Sequence, residues 1–414
     1  MDKLYFKSDT SLLKDQYEKF IYPLPLDDIQ FFIDKNIRFY NDPTYYWHKI
    51  WPEKEYVKNI NILVAGCGAN EAAILAKCNP DHNFVGVDIS KKAIEHCKSL
   101  KLKNNIKNLD LICDDFRNIN FNQKFDLIIS TGVVHHLSNP SQALDFFNTI
   151  LNNGGILSLM VYGDKITKGL NEVKKLFNLL KIEQNDEGIK KIKSFFLNLY
   201  NNHPAKYLFD RSHDSKFDSG IIDLTLNKIE CFFSVKDLIK LLNDSNLIIK
   251  SFQMSNIKSL TKFFFHDLEA MKTIRKLPVN DQLELGQILN WNDHQISFFC
   301  IKKDEQEKSI IYNPPNFQDN KNIYFCARDG CSFEFFDNKI ILTLETKEKY
   351  SFNVIINNIL YWKDFIRGQI TLKDLLNLYD DNSQKQVIME LIVILFENVF
   401  LDISFYPIKV KRFF

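Results

Sequence analysis

From residue 60 onward the chain alternates short apolar runs with stretches whose apolar positions recur at helical spacing. "NILVAG" (61–66) reads as a strand and "NEAAILAKC" (70–78) as a helix. "NFVGVDIS" (83–90) and "KKAIEHCKSLKLK" (91–103) repeat the pair. "LDLICDD" (109–115) and "KFDLIISTG" (124–132) are the third and fourth strands. "SQALDFFNTILN" (141–152) is a helix, and "NNGG" (152–155) stops it before a fifth strand, "ILSLMVYG" (156–163). Strands that are apolar at nearly every position, joined through helices by short turns, predict a parallel sheet covered on both faces. Right-handed crossovers make that sheet doubly wound, with ligand sites beyond the carboxyl ends of its strands.

The alternation is interrupted at about 165–201 by two helical stretches, "GLNEVKKLFNLLK" and "EGIKKIKSFFLNLY", an insertion placed to act as a lid. The polar segment "RSHDSKFDSG" (211–220) reads as a loop. Alternation resumes with the helix "SVKDLIKLLNDS" (234–245), the strand "NLIIKSFQM" (246–254), a helical section around 265–290 and a final strand, "HQISFFCIKK" (294–303). The charged break "KKDEQEKS" (302–309) reads as a linker. Beyond it, "NKIILTLET" and "YSFNVI" predict strands, and "TLKDLLNLY" and "QKQVIMELIVILFENVF" predict helices, the first opening at a Thr cap. The expected organisation is an aromatic-rich N-terminal extension over 1–56, an α/β domain over 57–303 and a small α+β accessory domain over 310–414, compatible with a winged helix.

Composition adds limits. The 53 basic and 52 acidic residues leave a net charge of +1 in 414 residues, so the whole chain has no electrostatic pull on nucleic acid. The eight cysteines are scattered with no CxxC pair, which predicts reduced thiols and no metal site. The N-terminus lacks the apolar core of a signal peptide, and no apolar run approaches the ~20 residues that cross a bilayer. A cytoplasmic protein, apart from membranes, is expected; homo-oligomerisation is left open.

The turn after the first strand carries the most chemistry. Gly66-x-Gly68-x-x-Glu71 has two glycines of a dinucleotide fingerprint, but a carboxylate stands where the third would be. Beside a pyrophosphate Glu71 would repel. S-adenosylmethionine has no phosphate and carries a sulfonium and an ammonium, so it tolerates that acid. Gly66 and Gly68, with Cys67 between them, let the backbone pass close to a ligand. Asn70 stands at a position where a left-handed φ suits Asn. Asp88 ends the second strand 20 residues after Gly68, the spacing of a ribose-reading acid, with Ile89 next to it. Asp115 (or Asp114, after a one-residue shift of register) can accept from an adenine amino group, and Phe116 can cover the ring. Ser130 and Thr131 end the fourth strand beside the methionine part of such a ligand.

"VAGCGANE", "VGVDIS", "CDDFRNINF", "FDLIISTGVVHHL" and "LNNGGILSLMVY" together resemble the class I S-adenosylmethionine-dependent methyltransferases, in order and spacing, over roughly 57–303. The resemblance implies a seven-stranded, mostly parallel Rossmann-like sheet, S-adenosylmethionine as cofactor, and methyl transfer to a small-molecule, peptide or protein acceptor. It carries cofactor roles to Gly66, Gly68, Asp88 and Asp115. The chain departs from the family at Val64, where an acid is frequent, and at Asn70, where a glycine is. His135 and His136 after the fourth strand, and Tyr162 at the end of the fifth, are the candidates for contact with the acceptor or for general-base work. Tyr45, Tyr46, Trp47 and His48 could close over the cofactor, and Arg211, His213 and Asp214 could meet substrate. A non-catalytic scaffold that keeps the cofactor fold is the alternative. Gly368, Thr371 and Asp374-Leu375 loosely match the winged modules that grip a peptide by strand addition.

Overall fold

The computed structural model describes residues 2–253, 268–290, 294–345, 347–397 and 400–408. The chain forms two compact units. The first comprises Met1–Asp42, Lys58–Ser255 and Asn290–Gln306; the second comprises Pro43–Val57, Asn256–Leu289 and Glu307–Phe414. The boundary at 306/307 falls inside the charged break, which is a 3-10 stretch, Lys303–Lys308, rather than open linker.

The first unit is built on a seven-stranded sheet of order β3-β2-β1-β4-β5-β7-β6. Its strands are β1 (Asn61–Ala65), β2 (Asn83–Asp88), β3 (Leu109–Cys113), β4 (Phe125–Thr131), β5 (Leu151–Tyr162), β6 (Leu247–Phe252) and β7 (Gln295–Lys302). β1 to β5 run parallel, and β7 runs antiparallel to both β5 and β6. In β1, Ile62, Leu63, Val64 and Ala65 are all fully buried, as a central strand covered on both faces requires. The order reverses between β1 and β4, so a crevice opens at their carboxyl ends.

The insertion after β5 is larger than the sequence suggests. Helices Asp164–Leu179, Asp186–Asn198, Pro204–Arg211 and Asp218–Leu226 share their own apolar core around Phe177, Ile192, Phe196, Phe209 and Ile221. Phe196 and Phe209 stack face to face at 3.8 Å. The polar stretch 211–220, expected as a loop, is a short 3-10 turn, Asp214–Lys216, followed by the start of the fourth helix. Its polar residues occupy helix ends, and from Gly220 to Leu226 every residue is buried.

The second unit contains two three-stranded antiparallel sheets. One holds β9 (Cys331–Phe336), β10 (Lys339–Leu344) and β11 (Lys349–Asn353). The other places β8 (Tyr324–Ala327) between β12 (Arg367–Thr371) and β13 (Leu401–Ser404). Thr371 caps helix Leu372–Leu376 in a reciprocal capping box with Asp374. Trp362 Nε1 donates to Tyr379 Oη at 2.9 Å inside a core that includes Phe325 and Phe365. Within this unit Phe405 N donates to Pro52 O at 2.8 Å, Tyr46 Oη donates to Asp329, and His48 lies 3.8 Å from Asp402. Residues 43–57 thus pack inside the second unit. The basic end "KVKRFF" lies outside the described residues. No helix among the described residues is long and apolar enough to cross a membrane.

Candidate functional site

A cavity of about 820 Å³ occupies the crevice of the first unit. Its floor is the turn from Gly66 to Glu71, with Asp88, Ile89, Asp114–Arg117 and Thr131–Val133 around it. Thr10, Tyr17 and Tyr22–Leu24 form its cover, and Asp214, Phe217 and Asp223 reach in from the helical insertion. Most of the surface is apolar and the polar groups converge, the usual make-up of a small-molecule site.

The two turn glycines have φ of +75° (Gly66) and +55° (Gly68). A Cβ on Gly66 would lie 2.2 Å from Val133 Cγ2, and one on Gly68 2.6 Å from Pro23 Cδ. Both glycines are therefore required by the chain's own packing as well as by backbone conformation. Gly68 N donates to Asp88 Oδ2 at 2.8 Å and Ser90 N to Asp88 Oδ1 at 2.8 Å, so the carboxylate is fixed while each oxygen retains a lone pair. Burial raises its pKa above the ordinary carboxylate value.

Asn70 is not left-handed: its φ is −131°. Its side chain accepts from Leu26 N at 3.0 Å and donates to Leu24 O at 2.9 Å, which clasps the N-terminal segment onto the turn. Asn suits the site because one amide satisfies a donor and an acceptor at once. Glu71 accepts from Thr131 Oγ1 at 3.0 Å and from Asn41 Nδ2 at 3.3 Å. Burial pushes its pKa up to about 7 against those two hydrogen bonds.

The two neighbouring aspartates divide the roles expected for either. Asp115 is buried, and Arg117 Nη2 reaches its Oδ2 at 2.6 Å and Nε its Oδ1 at 3.0 Å, while Thr10 Oγ1 donates to Oδ2 at 2.7 Å. Its carboxylate is engaged by the protein, and Arg117 holds its pKa low despite burial. Asp114, exposed and lining the cavity, accepts only from a neighbouring backbone amide in the described contacts, Asp115 N at 2.7 Å. Phe116 lines the cavity and stacks on Phe147 at 5.0 Å.

Among the other sequence candidates, Cys67, Thr131, His136 and Tyr162 line the cavity, whereas Ser130 and His135 do not. Ser130 ends a strand whose alternation turns it into the sheet packing, where it is fully buried. His135 is fully buried between His136 and Tyr162, its ring tilted against both with centroids 4.1 Å from each. Burial drives its pKa well below the ordinary histidine value. Tyr45, Tyr46, Trp47 and His48 are absent from the cavity wall, as are all residues of the 165–201 helices; Arg211 lies over the Tyr207 ring at 4.9 Å.

One part of the cavity wall is acidic and phenolic. Tyr17 Oη donates to Asp223 Oδ1 at 2.9 Å and Tyr22 Oη to Asp214 Oδ1 at 3.1 Å. Asn227 Nδ2 donates to Asp223 Oδ1 at 3.0 Å and Ser212 Oγ to Asp214 Oδ2 at 3.2 Å. Burial, then the Asp223 charge, raises the pKa of Asp214. Among the described lining residues there is no lysine, and the one arginine is Arg117. Sequence reasoning missed Thr10, Tyr17, Tyr22, Asn41 and Asp223. Tyr17 and Asp223 are 206 positions apart, and no local pattern marks either.

A family model described as a methyltransferase domain matches residues 57–200. A mitochondrial ubiquinone biosynthesis O-methyltransferase of Dictyostelium discoideum is 30% identical over 109 residues, 24% of this chain and 34% of that protein. A malonyl-[acyl-carrier protein] O-methyltransferase of Bacillus cereus is 27% identical over 114 residues, 27% of this chain and 41% of that protein. The chain thus spans between a third and a half of these relatives. PKMT2 from Rickettsia typhi, solved in complex with AdoHcy, is similar over 88% of this chain and 76% of that one, with a TM-score of 0.67 at 16% identity, a likeness of fold.

Proposed function

From the premise that residues 57–200 form a methyltransferase domain of the class I S-adenosylmethionine-dependent family, we propose that this protein transfers a methyl group to an amine carried on a small molecule, peptide or protein. The observation that carries the acceptor class is the charge of the cavity. Glu71, Asp88, Asp114, Asp214 and Asp223 all face it, and its one arginine is held by Asp115.

The residues present fit S-adenosylmethionine. Asp88 keeps lone pairs for the ribose hydroxyls, Asp114 stands free for the adenine amino group, and Phe116 supplies a ring wall. Glu71, raised to about 7 by burial, suits the ligand's ammonium and sulfonium. Glu71 thereby takes the place of the acid missing at Val64. Bound there, the cofactor supplies an electrophilic methyl carbon.

The chain's own part is to exclude water, hold the acceptor and take its proton. A cationic ammonium is drawn to the Asp214–Asp223 end, where the Tyr22 and Phe217 rings, 6.4 Å apart, offer π faces to the cation. The amine must shed a proton before its lone pair can attack. Asp214, whose pKa is raised, is the acceptor for that proton.

The test is label transfer from methyl-tritiated S-adenosylmethionine to a panel of alkylamines, phenols and carboxylates. Label confined to amines, and reduced by Asp214→Asn or Asp223→Asn, supports the reading. Label on phenols or carboxylates alone would sink the amine assignment. Cofactor binding without transfer to any class would favour the non-catalytic scaffold.

A further inference from the structure

Behind the cavity wall lies a second cluster that the proposed transfer does not use. Ligand atoms of His135, His136 and Glu230 lie within 4.8 Å of one another, on two backbone segments joined by a 2.7 Å bond from Cys231 N to His135 O. His135 is fully buried, and neither of its ring nitrogens has a hydrogen-bond partner. Glu230 Oε1 is likewise buried without a partner, while Oε2 pairs with Lys174. His136 Nδ1 lies 3.1 Å from Ile229 O, so it carries the proton and leaves Nε2 as a free lone pair.

Leaving a buried imidazole and a buried carboxylate oxygen unsatisfied is costly, and the arrangement calls for a shared partner. The neutral His135 ring carries one N–H and one lone pair; in the tautomer that turns the lone pair toward the cluster, it joins the His136 lone pair and the anionic Glu230 oxygen as an acceptor. What satisfies three converging acceptors is a cation. The Nδ1–H to carbonyl bond of His136 is the second-shell contact that orients metal-bound histidines.

We propose that His135, His136 and Glu230 form a binding site for a divalent ion of the zinc class, whose ligand preference is imidazole nitrogen and carboxylate oxygen. The ion ties the loop after β4 to residues 229–231 and fixes the His136 ring that lines the cavity. The Lys174 ammonium holds Glu230 in the ion's absence and is partly exposed, so it can leave to solvent when the ion arrives.

The experiment is titration of the EDTA-stripped full-length protein with Co2+, followed by visible d–d absorption, and with Zn2+, followed by elemental analysis after gel filtration. One ion per chain is expected, together with a rise in Tm. His135→Ala and Glu230→Gln should each weaken binding by more than ~100-fold, the upper range for disturbing even an outer-shell partner. Lys174→Met, which removes the competing ammonium, should bind at least as tightly as the wild type. Absence of a bound ion in the wild type overturns the site, as does equal binding by Glu230→Gln or Lys174→Met weakened as much as His135→Ala. Circular dichroism of Glu230→Gln separates loss of a ligand from loss of the fold.

Discussion

Arg117 holds Asp115 through bonds of 2.6 and 3.0 Å, with both side chains almost fully buried two residues apart at the end of β3. The protein thus holds Asp115 as an anion, and we propose that Asp114 is the carboxylate that meets a ligand. Asp115→Ala, which strands the arginine, should cost roughly 3–5 kcal/mol of stability. Asp114→Ala should leave Tm unchanged and weaken cofactor binding. Denaturation curves and calorimetry on the two variants check the division, and the opposite pattern would reverse it.

The carboxylate of Glu71 makes cofactor binding depend on pH. Its folded pKa of about 7 lies above the ordinary carboxylate value, so the contribution to stability is complete below that ordinary value and is lost as pH rises through 7. A cationic ligand restores it by favouring the charged form. The Tm rise caused by S-adenosylmethionine should therefore be larger at pH 8 than at pH 6, and Glu71→Gln should flatten the difference. Thermal melts with and without ligand at the two pH values measure this.

Asp88 is held by two backbone amides at 2.8 Å and faces the cavity. Asp88→Ala should weaken S-adenosylmethionine and S-adenosylhomocysteine alike, by at least ~10-fold, which is about 1.4 kcal/mol. Unchanged Kd values in calorimetry would remove Asp88 from the ribose role.

Asn70 joins the turn to Leu24 and Leu26 through two hydrogen bonds. Asn70→Ala should cost about 1–3 kcal/mol, at ~0.5–1.5 kcal/mol per bond. It should also raise the rate of cofactor release, since the cover over the cavity is loosened. Gly68→Ala should act on the same segment by forcing a methyl into Pro23 at φ +55°. Limited proteolysis near residue 25 and stopped-flow release rates report on both.

Much of the first unit was legible because strand burial and helix amphipathicity are local patterns. The apolar runs at 62–65 and 127–129, bounded by turn residues, read as central strands, and Ser90 marks a helix start by accepting from Ala93 N at 3.2 Å. The extent of the insertion was not legible. Its fourth helix is buried on every side, so it carries no amphipathic stripe, and polar residues at its start resemble a loop. The setting of the aromatic run 43–57 was not legible for a related reason. Aromatic residues record that something is buried, not which surface buries it.

The sequence by itself determined the sheet, the turn between β1 and the following helix, and an acid at the end of β2. These are set by backbone preferences and by spacings of a few residues up to about twenty. Tertiary structure alone decided that Asp115 is spent on Arg117 and Thr10, that His135 is shut away behind His136, and that Tyr17 and Tyr22 meet Asp223 and Asp214. Each of those facts depends on which distant side chain arrives to satisfy a buried charge. Hydrogen bonding and desolvation act between neighbours in space, and chain order does not record them.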